Sequence, residues 1–358
     1  MCKVYNQIGT LTTIKSHLHK HNVHEYKSLN ELINFQKDYS FTRQRIISKH
    51  QFLIEKEKNT LRDTIIQLDF AIKEKSSELE KQLLSKLETL KNNLDNLPSV
   101  HPNIIYLLIN QVNKIGLKLR IQTNKLFFSF KITFSVRDLT KNYNKTNSRH
   151  QYIVSNFDDA VMKISLPHLN ELDRKKRIID EINNSIYGAL GEQKVVKELE
   201  KLPDDHILIN DFNCIFQRAI YNRRENDYIK SIQIDHILVS PSGVFLIETK
   251  NWSQRSVDRM EFYSPVQQVK RTNFVLYKIL NGELANRRLT LKKHNWGKRK
   301  IPIRNVIVFI DHKPTEEFQH VKILTLNSLL NYVNYFNSCF SVEETQNIGE
   351  YLLNFRGE

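Results

Sequence analysis

The stretch from Gln233 to Lys250 limits what this chain can fold into more than any other. Two apolar, largely β-branched runs, Ile234 to Val239 and Val244 to Ile247, flank Ser240-Pro-Ser-Gly243. Pro and Gly at the second and fourth positions suit a type I turn, so the segment predicts a β-hairpin. If Ser240 pairs with Gly243, Asp235 stands opposite Glu248 and Gln233 opposite Lys250. Directly opposed residues share a face with Cβ atoms about 4.5–5.5 Å apart, which brings Asp235, Glu248 and Lys250 onto one patch. An odd-length loop without a bulge would instead turn Asp235 away from Glu248.

Two carboxylates that close, on strands otherwise apolar, repel each other unless one is protonated or a cation lies between them. A hard divalent ion meets that need, since Mg²⁺ takes one or two carboxylates and completes its shell with water and phosphate oxygens. Lys250, on the same face as Glu248, is placed to orient or help deprotonate an attacking water. The set suits phosphodiester hydrolysis. The plain alternative is a hairpin whose polar ends face solvent, with Glu248 and Lys250 as ordinary surface charge.

The runs Gln233-Ile-Asp-His236 and Gly243-Val-Phe-Leu-Ile-Glu-Thr-Lys-Asn251, preceded by Gly188-Ala-Leu-Gly191-Glu192, resemble the nuclease-related domain family, NERD, of the PD-(D/E)xK phosphodiesterases. The resemblance covers roughly residues 184 to 356. It implies a restriction-endonuclease-like α/β fold, a mixed sheet flanked by helices. It also implies a Mg²⁺ ion, replaceable by Mn²⁺, held by Asp235, Glu248 and the Thr249 carbonyl with help from Glu192. By its own sequence Glu192 is one carboxylate among several on a helix. Within Gly-x-x-Gly-Glu it matches the acid the family brings to the metal from the helix before the core sheet. Gly191 would let that helix approach the sheet closely. Ser264-Pro-Val-Gln-Gln268 resembles the family's Asn-Pro-x-x-Gln with Ser264 replacing Asn, and a glycine common after the Lys is missing. Gln233 and Gln268 are assigned orienting roles.

Lys and Arg number 54 against 39 acidic residues, giving a net charge of +15 over 358 residues. That excess favours a polyanionic partner, nucleic acid before membrane. Around the hairpin, Arg218, Arg223 and Arg224 alternate with Tyr221 and Tyr228, a mixture that stacks on bases and holds phosphates. Residues 287 to 300 form the densest basic run, and Lys292, Lys293, Lys298, Arg299 and Lys300 are read there as a phosphate-binding arm. Three widely separated cysteines, Cys2, Cys214 and Cys339, fit a reduced, cytoplasmic chain without a disulfide framework. No stretch reaches the ~18–20 apolar residues of a membrane span, and the first residues lack a signal-peptide core.

Thirteen histidines include His17, His19, His21 and His24. On a helix, His17, His21 and His24 share a face that could hold a transition metal. With Glu25 the only carboxylate near them in sequence, they are read as solvated.

From Ser28 to Leu97 the chain is almost free of Gly and Pro. Leu61, Ile65, Leu68, Ile72, Leu79, Leu83, Leu87, Leu90, Leu94 and Leu97 mark a coiled-coil seam. A seam this narrow needs a partner helix: residues 99 to 135 folding back, or residues 45–97 of a second chain in a homo-oligomer. Lys141 to His150 is polar and basic and reads as a linker. The expected division is therefore an α-helical region at 1–140, linker and lead-in helix at 141–183, and the nuclease-like domain at 184–358. The function expected is metal-dependent hydrolysis of DNA. A nucleic-acid-binding or assembly module with little turnover, or an RNase, is the alternative.

Overall fold

β-branched and aromatic runs between residues 207 and 325 pair into one mixed sheet. Its order follows the sequence: β1 (Lys3–Tyr5), β2 (Ile207–Asn222), β3 (Asp227–Ser240), β4 (Gly243–Lys250), β5 (Ile303–Phe309) and β6 (Lys322–Thr325). β2, β3 and β4 are antiparallel neighbours, whereas β1 runs parallel to β2, and β5 and β6 run parallel to β4. The structure is a computed structural model that describes residues 1–98, 104–254, 263–282, 284, 289 and 300–355. The helices described are α1 (Gly9–Lys20), α2 (Leu29–Asp95), α3 (Ile104–Leu126), α4 (Phe128–Ser135), α5 (Arg137–Ser155), α6 (Phe157–Glu181), α7 (Asn183–Leu199), α8 (Tyr263–Leu280), α9 (Leu329–Asn334) and α10 (Val342–Leu353).

The chain forms two compact units, residues 1–37 with 174–358, and residues 38–173. In the first, both faces of the sheet are buried. Ile237, Leu246, Ile307 and Phe309 pack under α8 and α10. Leu238, Phe245, Ile247 and Val308 pack under α7 and α9. That explains why β4 and β5 read as continuous apolar runs rather than alternating ones. The final helix begins with the capping box expected at Ser341 and Glu344: the Ser341 hydroxyl accepts the Glu344 N–H at 3.2 Å, and the Glu344 carboxylate accepts the Ser341 N–H at 2.9 Å.

The structure departs from two expectations. The N-terminal residues belong with the sheet, since β1 pairs with β2 and Ile14 and Leu18 of α1 pack with Ile178, Ile179 and Ile182. Residues 217–230 extend the hairpin of β2 and β3, interrupted by a register shift between Ile215 and Ile220. Lys141 to His150 lies inside α5, so the division drawn at 140 and 183 is not the one the structure makes. Its many Asn residues disfavour a helix only weakly. One side of this helix is held by a two-pronged Arg149–Glu57 ion pair at 2.8 and 3.1 Å and by Ile153 packed on Ile54.

Within the helical unit, the α2 seam is shielded by the chain's own residues: Leu87 is buried, and Leu61, Ile65, Leu68, Ile72 and Leu83 are half-buried. Around Ile54 the covering residues are Ile153, Ala160 and Val161, which lie beyond the 99–135 stretch expected to fold back. On α3, Ile105, Leu108, Val112, Ile115, Leu119 and Leu126 are exposed. No helix among the described residues is long and apolar enough to cross a membrane.

Candidate active site

The hairpin takes the register its turn residues predicted. Ser240 pairs with Gly243, and the ladder continues through Val239–Val244 to His236–Ile247. The Ser240 hydroxyl accepts the Ser242 N–H at 3.2 Å and donates to the Gly243 carbonyl at 3.1 Å, which closes the two-residue turn. One step beyond the ladder, Asp235 accepts the Thr249 N–H through Oδ2 at 2.8 Å. Glu248 is 4% exposed, and its Oε1 accepts a 2.7 Å hydrogen bond from Lys250 Nζ.

The third carboxylate arrives from α7. Gly191 permits this, because a Cβ there would stand 2.8 Å from Asn251 Cβ and 3.3 Å from both Ile310 and Thr249. The Asn251 amide also donates to the Tyr187 carbonyl at 2.6 Å, fastening the end of β4 to α7. Glu192 Oε1 accepts a short hydrogen bond from the Thr10 hydroxyl. Burial and the Glu248 and Glu192 carboxylates push the Asp235 carboxyl well above the ordinary range, with the Thr249 N–H and Lys250 opposing. Burial, joined by Asp211 and Glu248, raises Glu192 to about 7, against the pull of Thr10 and Lys250.

Asp211 is a site residue that sequence reasoning missed. It sits on β2 with φ +46°, outside any motif. Its carboxylate lies where a Cβ on Gly9 would be, 2.4 Å from that position, against the first turn of α1. Gln233 Nε2 donates to Asp211 Oδ1 at 2.8 Å, so Gln233 orients an acid but not one of the pair expected. Asp211 could have been suspected only as a polar residue directly after a buried strand. Thr10, some 180 positions from Glu192, left no sequence signal.

The other expected residues distribute as follows. Thr249 joins the site through its N–H, and its Oγ1 is buried without a hydrogen-bond partner. Gln268 is exposed near the start of α8, and its side chain makes no hydrogen bond to Asp235, Glu248, Lys250 or Glu192. Arg218 is exposed on β2, and Arg223 and Arg224 are exposed in the turn that ends the β2–β3 hairpin, beside the Tyr221–Tyr228 ring pair at 4.7 Å. Lys300 is exposed, while Lys292, Lys293, Lys298 and Arg299 lie outside the described residues. His236 points to the opposite face. It is fully buried and held neutral, with Nδ1 2.7 Å from Asn210 Oδ1.

The donors fit a hard divalent ion. Asp235, Glu248 and Glu192 offer only carboxylate oxygens, and their mutual repulsion, visible in the raised Asp235 and Glu192, is what a cation would remove. A search of curated proteins and one of solved structures give no match to the chain. A scan of family models gives one over residues 187–310, from Tyr187 beside Asn251 to Ile310 beside Gly191, a span that holds all three acids and Lys250. Those residues match the model of the nuclease-related domain, NERD, the family that the motifs resemble.

Proposed function

We propose that this protein is a metal-dependent phosphodiesterase that hydrolyses DNA. The observation that carries the reading is the grouping of buried Glu248 with half-buried Asp235, Glu192 and Lys250 at the end of β3 and β4. An ion held by these carboxylates and the Thr249 carbonyl, Mg²⁺ or in its place Mn²⁺, supplies Lewis acidity and neutralises phosphate charge.

The remaining work falls to the chain. Lys250 Nζ, fixed by Glu248, orients the attacking water and stabilises the negative charge that grows on the phosphate as the bond to the leaving oxygen breaks. Thr10 holds Glu192, and the Thr249 N–H holds Asp235, so both acids keep their directions when the substrate arrives. Arg218, Arg223 and Arg224, with Tyr221 and Tyr228, hold the backbone and bases of the substrate strand. The net charge of +15 favours a polyanion. The helical unit serves assembly. The α2 seam is half-buried, and the exposed α3 row, at the three-four spacing of a coiled coil, offers a face for a second copy.

The test uses circular single-stranded and supercoiled double-stranded DNA with Mg²⁺, Mn²⁺ or EDTA, for the wild type, Glu248→Ala and Lys250→Ala. Nicking that needs the metal and falls by at least about a thousandfold in both variants is expected. Salt-sensitive DNA binding without cleavage of any form would sink the hydrolytic reading in favour of a binding module. Cleavage confined to RNA would change the substrate class.

A further inference from the structure

We infer that His17, His21 and Glu181 form a second metal site, for a divalent transition ion of the Zn²⁺ class. The two histidines stand one turn apart, His17 within α1 and His21 as the residue that caps its C-terminus, with ring centroids 4.7 Å apart and planes tilted by 44°. Glu181 ends α6 and brings Oε2 to 3.4 Å from His17 Nε2. One donor atom from each of the three lies within 4.8 Å of the other two. Two imidazoles and a carboxylate are a known three-ligand zinc set that leaves a fourth position for water. Bonds of about 2.0–2.1 Å set tetrahedral donors roughly 3.4 Å apart. The His17–Glu181 pair already has that spacing, and His21 completes the set by a side-chain adjustment.

Two observations separate this cluster from solvated histidines. His17 Nε2 is buried and faces the Glu181 carboxylate at 3.4 Å, within ion-pair reach, yet makes no hydrogen bond. The elements carrying the ligands are also held independently of any ion. Ile14 and Leu18 of α1 pack with Ile178, Ile179 and Ile182, and Arg174 donates to the His21 carbonyl at 3.0 Å. His24 is not part of the set, because α1 ends at Lys20 and the His24 ring lies 5.0 Å from that of His19. The carboxylate comes from 160 positions away, where spacing along α1 could not reveal it. Imidazole nitrogen selects Zn²⁺, Co²⁺, Ni²⁺ or Cu²⁺ over Mg²⁺, so the site is chemically distinct from the carboxylates at the end of β3 and β4.

The ion would act as a clip. It joins the C-terminal half of α1 to the end of α6, while the first turn of α1 carries Thr10, the hydrogen-bond partner of Glu192, and Gly9, against Asp211. Binding does not depend on the hydrolytic reading; the effect on Glu192 does.

The experiment titrates the full, metal-stripped chain with Co²⁺ and follows the visible d–d bands, with Zn²⁺ as competitor. One equivalent with the intense bands of a four-coordinate site, distinct from the weak absorption of any Co²⁺ on the carboxylates, should bind in the wild type and in Glu248→Ala, be displaced by Zn²⁺, and be lost in His17→Ala and Glu181→Gln. Far-UV circular dichroism checks the fold of each variant, and Glu181 is exposed, so Glu181→Gln should fold as the parent does. No Co²⁺ band in the wild type, or a band unchanged in Glu181→Gln, would overturn the proposal. So would a band lost with His19→Ala or His24→Ala instead. Because Glu248→Ala keeps this site while removing the other, failure here is distinguishable from failure of the nuclease reading.

Discussion

Lys250 meets Glu248 at 2.7 Å on β4, and Lys73 meets Asp69 at the same 2.7 Å on α2. The first pair has side chains 18% and 5% exposed, the second 75% and 46%. On the sheet, two further carboxylates lie close by and the surroundings are apolar, so each charge is poorly screened and depends on its neighbours. On the helix, water and salt screen both ions, and the pair is one of several such helical pairs, with Lys58–Glu55 on α2 and Lys163–Asp159 on α6. Equal distances therefore carry unequal meaning. The environment decides which ion pair can be part of a chemical site.

The largest effect should come from taking away the cation of each pair. In metal-free protein near pH 8, Lys250→Met should cost about 3 kcal/mol, because it leaves Glu248 buried beside two other acids. Lys73→Met should leave the urea midpoint where it was. Equal midpoints for the two variants would break the comparison.

A smaller effect should follow pH. Glu192 has a folded pKa of about 7 against 4.5 for an ordinary Glu. The folded chain thus binds this proton more tightly than the unfolded one. Its contribution is complete below about pH 4.5 and is lost as pH rises through about 7. Between pH 5 and 8 the metal-free wild type should lose on the order of 2–3 kcal/mol relative to Glu192→Gln. Urea unfolding at each pH gives the two curves, and parallel curves would show that Glu192 is not strained. Added Mg²⁺ should flatten the wild-type curve.

The smallest effect belongs to exposed charge on the sheet unit itself. Arg223→Ala with Arg224→Ala, at the tip of the β2–β3 hairpin, should reduce the slope of log affinity for duplex DNA against log salt by about 2. Turnover at saturating DNA should not change. An unaltered slope would remove this hairpin from the proposed nucleic-acid surface.

The local pattern made much of the site legible. Ser-Pro-Ser-Gly and the apolar runs beside it determined the hairpin register, and with it the meeting of Asp235, Glu248 and Lys250. Gly191-Glu192 pointed to a helix close enough to the sheet to add an acid, and Ser341 with Glu344 marked the start of the last helix. These features depend on neighbours a few residues apart, which is why they could be read directly. The polar stretch at 141–150 misled, because a helix held by Arg149–Glu57 and Ile153–Ile54 depends on partners some 90 to 100 positions away.

By itself, then, the sequence determined the hairpin, the meeting of Asp235, Glu248 and Lys250 at its end, and the resemblance to the nuclease-related domain over residues 187–310. Only the tertiary structure could bring β1 and α1 onto the sheet, place Thr10 on Glu192 and Asp211 beside Gly9, and carry Glu181 to His17. Each of these is a contact across more than 160 positions. Such contacts are selected by packing over the whole core, which no window of the sequence contains.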